Sequence, residues 1–114
     1  MLKGMKTTIA ASMIAASFSF GAIAADIDKI HFLIPGGAGG GWDMTARGTG
    51  DVLIKEDLVE SVSFQNLSGG GGGKAIAHLI ETAERQENTL MVNSTPIVVR
   101  SLTGVFPQSF RDLT

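Results

Sequence analysis

The sequence predicts an α/β fold built on a parallel sheet, in the order strand, helix, strand, helix, strand, helix. Two observations predict it: short apolar strands alternate with helical segments, and a glycine-rich loop or a capped turn follows each strand. Strands that are each followed by a helix call for a parallel sheet with right-handed crossovers. The chain has 114 residues, which allows one small domain or one piece of a larger one.

The N-terminal segment has the three parts of a signal peptide. Lys3 and Lys6 precede an uncharged apolar run over 9–20, and a small-residue segment ends at Ala24 or Ala25, where cleavage is expected. The apolar run is shorter than the roughly 20 residues that a membrane-spanning helix needs. We therefore expect residues 1–25 to be removed and the remaining chain, 26–114, to be periplasmic and not embedded in the membrane.

Composition excludes several classes of function. The chain contains no Cys, so disulfide scaffolds, thiolate zinc sites and cysteine nucleophiles are excluded. The two His are too few for a His-rich metal cage, and the formal net charge of -2 includes no basic stripe for nucleic acid. No serine elbow or spaced carboxylate pair is present, so we expect neither an enzyme nor a cofactor.

The first strand and helix surround a glycine-rich loop. Residues 26–34 form a strand with apolar residues on both faces, which predicts burial on both sides. Pro35 ends this strand. The first glycine loop, residues 36–41, then leads to a helix over about 43–54. Gly48 and Gly50 lie inside the helix, where they either weaken it or permit close packing.

The same pattern then repeats. A second strand over 62–66 leads to the glycine run 69–73, and the i, i+3, i+4, i+7 spacing of apolar residues predicts a helix over 74–85. A third strand covers 89–93. Hydroxyl side chains before a proline open a third helix, which should run from 94 to near 104.

Both glycine loops lie where a parallel sheet binds ligands. Loops after parallel strands meet at the carboxyl edge of the sheet, and each leads into a helix N-terminus whose free N–H groups attract anions. The segments 39–43 and 69–74 therefore resemble two halves of an anion-binding cradle, although a five-glycine run is also typical of a flexible linker. The predicted ligand-binding residues are Gly39, Gly40, Gly41, Trp42, Asp43, Gly69, Gly70, Gly71, Gly72, Gly73, Ser94 and Thr95.

Some of these residues also have purely structural interpretations. Asp43 suits a helix-dipole or capping role as well as a ligand contact. Trp42 either covers a ligand or packs the loop, and Ser94 and Thr95 are expected first of all to cap the third helix.

Neither loop fits a nucleotide motif. The first loop fails the dinucleotide fingerprint in both frames, because Ala38 or Trp42 stands where a glycine is required. The second loop fails the P-loop pattern, because Ser68 replaces the first glycine and Ala75 replaces the magnesium-binding hydroxyl.

The motifs resemble a known family, the periplasmic substrate-binding proteins of tripartite tricarboxylate transporters (TctC or Bug type). After the signal peptide, the resemblance lies in Pro35, Gly-Gly-Gly-Trp-Asp at 39–43, Thr-Ala-Arg at 45–47, Val-Ser-Phe-Gln-Asn at 62–66, Asn-Thr-Leu-Met-Val at 88–92 and Phe-Arg-Asp-Leu-Thr at 110–114. It covers the whole chain after the signal peptide, and the 39–43 element after a proline is its most specific part.

The resemblance implies a two-domain receptor that closes about a hinge on an organic di- or tricarboxylate and delivers it to membrane permease subunits. In that family, N–H groups and ordered waters at loops equivalent to 39–43 and 69–73 hold one carboxylate, and no cofactor is used. Family members are more than twice as long, so residues 26–114 are expected to be the N-terminal part of the first domain, with the second lobe absent. The alternative is a fragment of an exported α/β enzyme that acts on a small anion through Asp43 or His31.

Overall fold

A computed structural model describes residues 27–113. The helices and strands are β1 (Lys29–Ile34), α1 (Gly41–Lys55), β2 (Ser61–Asn66), α2 (Gly73–Glu81), β3 (Thr89–Met91) and α3 (Thr95–Leu102). Short 3-10 turns occupy Gly70–Gly72, Ala83–Arg85 and Phe110–Leu113. The predicted signal peptide, 1–25, lies outside the described residues.

The three strands form one parallel sheet in the order β2-β1-β3. Phe32 of the central strand is in register with Phe64 on one side and with Leu90 on the other. The alternating α/β fold with a parallel sheet is thus confirmed. Because all three strands run in one direction, their carboxyl ends meet at one edge, where the first glycine loop, the second glycine loop and the start of α3 follow.

Two apolar clusters hold the helices to the sheet. β1 is buried on both faces, as its sequence predicts, with Phe32, Leu33 and Ile34 at most 2% exposed. One cluster joins β1 to α1, and the other joins α2 to α3 and the segment that follows α3. Their buried members are Phe32, Ile34 and Ala46 in the first and Ile76, Ile97 and Phe106 in the second. Trp42 packs against both clusters, so its ring links the first glycine loop to the two halves of the core.

Several predicted boundaries were wrong: β1 begins at Lys29 and not at 26, β3 ends at Met91 and not at 93, and two helices also differ. α1 begins at Gly41, earlier than position 43, because Gly40 is already its N-cap. α2 ends at Glu81, where a helix to position 85 was expected. The N–H of Thr82 still donates the last helical i→i−4 bond to the carbonyl of His78, but its φ of -116° lies outside the helical region and ends the helix there.

The two glycines inside α1 have different surroundings. A Cβ on Gly50 would lie 2.6 Å from Cζ of Phe64, so this glycine lets α1 approach β2 closely. A Cβ on Gly48 would meet no atom within 4 Å. The predicted close packing therefore holds for Gly50. Within residues 27–113, no helix has the length and apolar character required to cross a membrane.

Candidate functional site

A cleft of about 370 Å³ opens at the carboxyl edge of the sheet, between the first glycine loop and the N-terminal half of α3. The residues that line it are Gly36, Gly37, Gly40, Gly41, Trp42, Ser94, Pro96 and Arg100. Four of the predicted ligand-binding residues, Gly40, Gly41, Trp42 and Ser94, are thus brought together here. Gly39, Asp43, Thr95 and the second glycine loop are not among the lining residues.

The first glycine loop is a tight turn that ends in a helix N-terminus. The N–H of Gly40 donates to the carbonyl of Gly37 at 3.3 Å, and Gly39 adopts a φ of 80°, which favours glycine. The first N–H groups of an α-helix have no intrahelical acceptor, and the N–H of Met44 is the one that reaches back to Gly40. The N–H groups at the start of α1, where Gly41 and Trp42 line the cleft, are therefore available to an acceptor.

The side chain of Asp43 holds the first glycine loop in place through hydrogen bonds. The residue is 4% exposed, and its carboxylate accepts hydrogen bonds from the N–H of Gly39 at 2.8 Å, Nδ2 of Asn66 at 2.9 Å and Nε of Arg47 at 3.0 Å. Nδ2 of Asn66 also donates to the carbonyl of Gly36 at 3.0 Å. The loop is thereby tied at two points to the end of β2.

These hydrogen bonds also fix the charge of Asp43. The bond from Arg47 has the largest effect, followed by those from Gly39 and Asn66, and together they lower the pKa of the Asp43 carboxyl from 3.8 to about 2. A carboxylate of such low basicity is a poor general base at neutral pH. Of the two interpretations of Asp43, the geometry favours the structural one.

Ser94 does not act as the side-chain cap that its position predicted. It is the N-cap residue of α3, but its hydroxyl makes no capping hydrogen bond. Instead, Oγ accepts a hydrogen bond from Nε1 of Trp42 at 2.9 Å. A buried indole usually has a hydrogen-bond partner for its N–H, and this bond connects the start of α1 to the start of α3. Thr95, the first residue of α3, is exposed outside the cleft.

The second glycine loop is an ordered turn and not a linker. Gly69, Gly70, Gly71 and Gly72 all have positive φ, between 57° and 138°, which residues with a side chain rarely adopt. The N–H groups of Gly72 and Lys74 both donate to the carbonyl of Gly69, at 3.1 and 3.4 Å. These donors are therefore used inside the turn.

Packing also requires glycine at the end of this loop. A Cβ on Gly72 would lie 2.7 Å from Cδ1 of Ile97, and a Cβ on Gly73 would lie 2.6 Å from Cβ of Phe106. α3 and the segment after it close directly onto the loop backbone. The glycine run thus has a conformational and a packing explanation that its sequence alone did not distinguish from low complexity.

The sequence prediction missed four of the lining residues, Gly36, Gly37, Pro96 and Arg100, of which Arg100 alone carries a charge. Its Nη1 donates to the carbonyl of Gly71 at 3.0 Å, so one side chain of α3 joins the cleft to the second loop. Arg100 follows Pro96 by four residues, a spacing that places both on one face of α3. This i, i+4 spacing is the sequence feature that could have identified Arg100 as a lining residue. Asn66 and Arg47 were also missed as loop anchors, although the i, i+4 spacing of Asp43 and Arg47 predicts their contact.

The two histidines lie away from the cleft. Nδ1 of His31 is 2.7 Å from Oγ of Ser63, and its Nε2 is 3.3 Å from Oε1 of Gln65. His78 lies in α2. Within the part of the chain that the structure describes, no three His, Asp or Glu side chains are grouped as a metal site requires.

No family model, curated protein or solved structure matches this chain. The likeness to tricarboxylate-binding proteins therefore rests on the motifs quoted above.

Proposed function

We propose that the chain belongs to a periplasmic solute-binding protein of the tripartite tricarboxylate transporter type, which captures an organic di- or tricarboxylate and delivers it to membrane permease subunits without catalysis. One observation carries the proposal: the N-terminal ends of α1 and α3 converge on a single cleft at the carboxyl edge of a parallel sheet. Ligands of open α/β sheets bind at this edge.

The electrostatics of the cleft suit an anion. Free N–H groups and the positive ends of two helix dipoles attract negative charge, although the chain as a whole is acidic. Arg100 adds the one charged side chain among the residues that line the cleft. The negative charge of Asp43 is compensated by its bonds to Arg47, Asn66 and Gly39, so its repulsion of a bound anion is reduced.

The geometry supports a binding protein better than the enzyme alternative. Asp43 lies beneath the loop with its carboxylate held by three neighbours and its pKa lowered to about 2, which disfavours proton abstraction at neutral pH. His31 does not line the cleft.

Trp42 provides the test, because it is the one tryptophan of the chain and lines the cleft. The chain without its signal peptide is titrated with citrate, succinate and acetate at constant ionic strength, and indole fluorescence and melting temperature are recorded. Because the second lobe is expected to be absent, we expect weak binding: a fluorescence change that saturates only at high carboxylate concentration, with stabilisation of about 2.7 kcal/mol at one hundred times Kd. A neutral triester of citrate is the matched control. If no carboxylate changes either signal, the proposed function is wrong.

A further inference from the structure

We propose that Arg100 is the side chain that contacts the anion, and that the second glycine loop serves the cleft by positioning the Arg100 guanidinium. This inference rests on the proposed function and changes the role expected of Gly69–Gly73. The loop then acts through an arginine of α3 and not through its own N–H groups.

The contact between Arg100 and Gly71 carries the inference. A guanidinium has five N–H donors in a planar fork, and in the described structure Arg100 uses one of them, from Nη1 to the carbonyl of Gly71 at 3.0 Å. The remaining donors are free for an acceptor in the cleft that Arg100 lines. The partner of the guanidinium in this contact is a neutral carbonyl, and within residues 27–113 Arg100 forms no ion pair with an acidic side chain.

The backbone of the loop explains why this contact forms. Gly71 adopts a φ of 63°, and a Cβ at this position would lie 3.1 Å from Cδ of Arg100. The missing side chain lets the arginine stem cross the loop closely. The N–H groups of Gly72, Gly73 and Lys74 are occupied within the turn, whereas the carbonyl of Gly71 accepts the hydrogen bond from Arg100.

This arrangement also indicates the chemical class of the ligand group. The fork of a guanidinium matches the two coplanar oxygens of a carboxylate, whereas an ammonium group acts as a point charge. We therefore expect Arg100 to give a preference for carboxylates over tetrahedral anions such as sulfate.

The experiment measures Kd for citrate and for sulfate by Trp42 fluorescence in a set of matched variants. Arg100→Gln should weaken citrate binding by about tenfold or more, as expected for a lost charge-assisted hydrogen bond. Arg85→Gln removes the same charge from an exposed site after α2 and should leave Kd within about twofold. Arg100→Lys should keep part of the affinity but lose the preference for citrate over sulfate.

A glycine pair tests the role of the loop. Gly71→Ala and Gly70→Ala place an alanine at nearly equal positive φ, 63° and 57°, but a Cβ on Gly70 meets no atom within 4 Å. Both variants should lose similar stability, whereas Gly71→Ala should weaken citrate binding several-fold more than Gly70→Ala. Equal effects of the two alanines on Kd would overturn the positioning role of the loop.

The possible outcomes separate the two proposals. Citrate binding that survives Arg100→Gln unchanged would overturn this inference and leave the proposed function standing. Sulfate binding without carboxylate binding, lost in Arg100→Gln, would overturn both the proposed function and the carboxylate preference, and would leave only the contact between Arg100 and an anion. No binding of either anion by the unmodified chain would overturn both.

Discussion

Gly48 and Gly50 are two residues apart in α1 and face opposite sides of the helix, so a methyl group should have opposite effects at the two positions. At Gly48 the new Cβ meets no atom within 4 Å, and alanine replaces glycine in a helix interior. We expect Gly48→Ala to stabilise the chain by about 1 kcal/mol.

At Gly50 the same gain in helix propensity is opposed by a clash. The Cβ would lie 2.6 Å from Cζ of Phe64 and 3.3 Å from Cγ2 of Val62. The Phe64 ring is stacked on Phe32, with centroids 5.4 Å apart, and Cζ of Arg47 lies 4.9 Å from its centroid, so moving the ring disturbs both contacts. Overpacking of this kind costs about 1–3 kcal/mol.

The difference between the two variants isolates this clash, because the gain in helix propensity is common to both. We expect Gly50→Ala to be about 1–3 kcal/mol less stable than Gly48→Ala, which corresponds to roughly 4–8 °C in melting temperature for each kcal/mol. Thermal and urea unfolding followed by circular dichroism measure the difference. Melting temperatures within about 2 °C of each other would refute the close approach of α1 to β2.

Three further predictions concern the loops around the cleft. Asp43 has a lowered pKa, so it adds stability above its ordinary pKa of 3.8 that is lost as the pH falls toward about 2; urea unfolding from pH 5 to 2 should show this loss, and Asp43→Asn should reduce it. Gly73→Ala should cost about 1–3 kcal/mol in urea unfolding because of its clash with Phe106, whereas Gly37→Ala, with no atom within 4 Å of its Cβ, should cost little. Ser94→Ala should cost about 0.5–1.5 kcal/mol, measured in the same way, because the indole N–H loses its acceptor.

Each of these predictions has a contrary result. An unchanged pH dependence in Asp43→Asn would mean that other carboxyl groups cause the acid loss of stability. Equal unfolding free energies for Gly73→Ala and Gly37→Ala would contradict the packing of Phe106 on the second loop. A cost of Ser94→Ala that persists in a Trp42→Phe background would show that the hydroxyl stabilises something other than the indole.

Periodicity was sufficient to predict the order of elements and the direction of the strands. The apolar residues on both faces of β1 and the spacing in α2 record burial directly, so their elements were predicted within a few residues. Helix ends were predicted less well. α2 ends where Thr82 leaves the helical φ range, and the continuing apolar pattern gives no sign of this change in backbone conformation.

The cleft was predicted only in part, because its walls depend on contacts between distant residues. That Gly40, Gly41 and Trp42 line it follows from their place after β1, at the carboxyl edge. The contact between Arg100 and Gly71 depends on how α3 packs on the second loop. A flexible linker and a turn with four positive φ values can have the same glycine sequence. The sequence alone therefore did not distinguish between them.

The position of β1 at the centre of the sheet has a consequence for the order of folding. Phe32 pairs with Phe64 and with Leu90, so the ladder between β1 and β2 closes the shorter loop and the ladder to β3 closes the longer one. We expect β1, α1 and β2 to form the folding nucleus, with β3 and α3 joining after the rate-limiting step. Substitutions at Gly50 should then slow refolding, whereas substitutions at Gly73 should mainly speed unfolding.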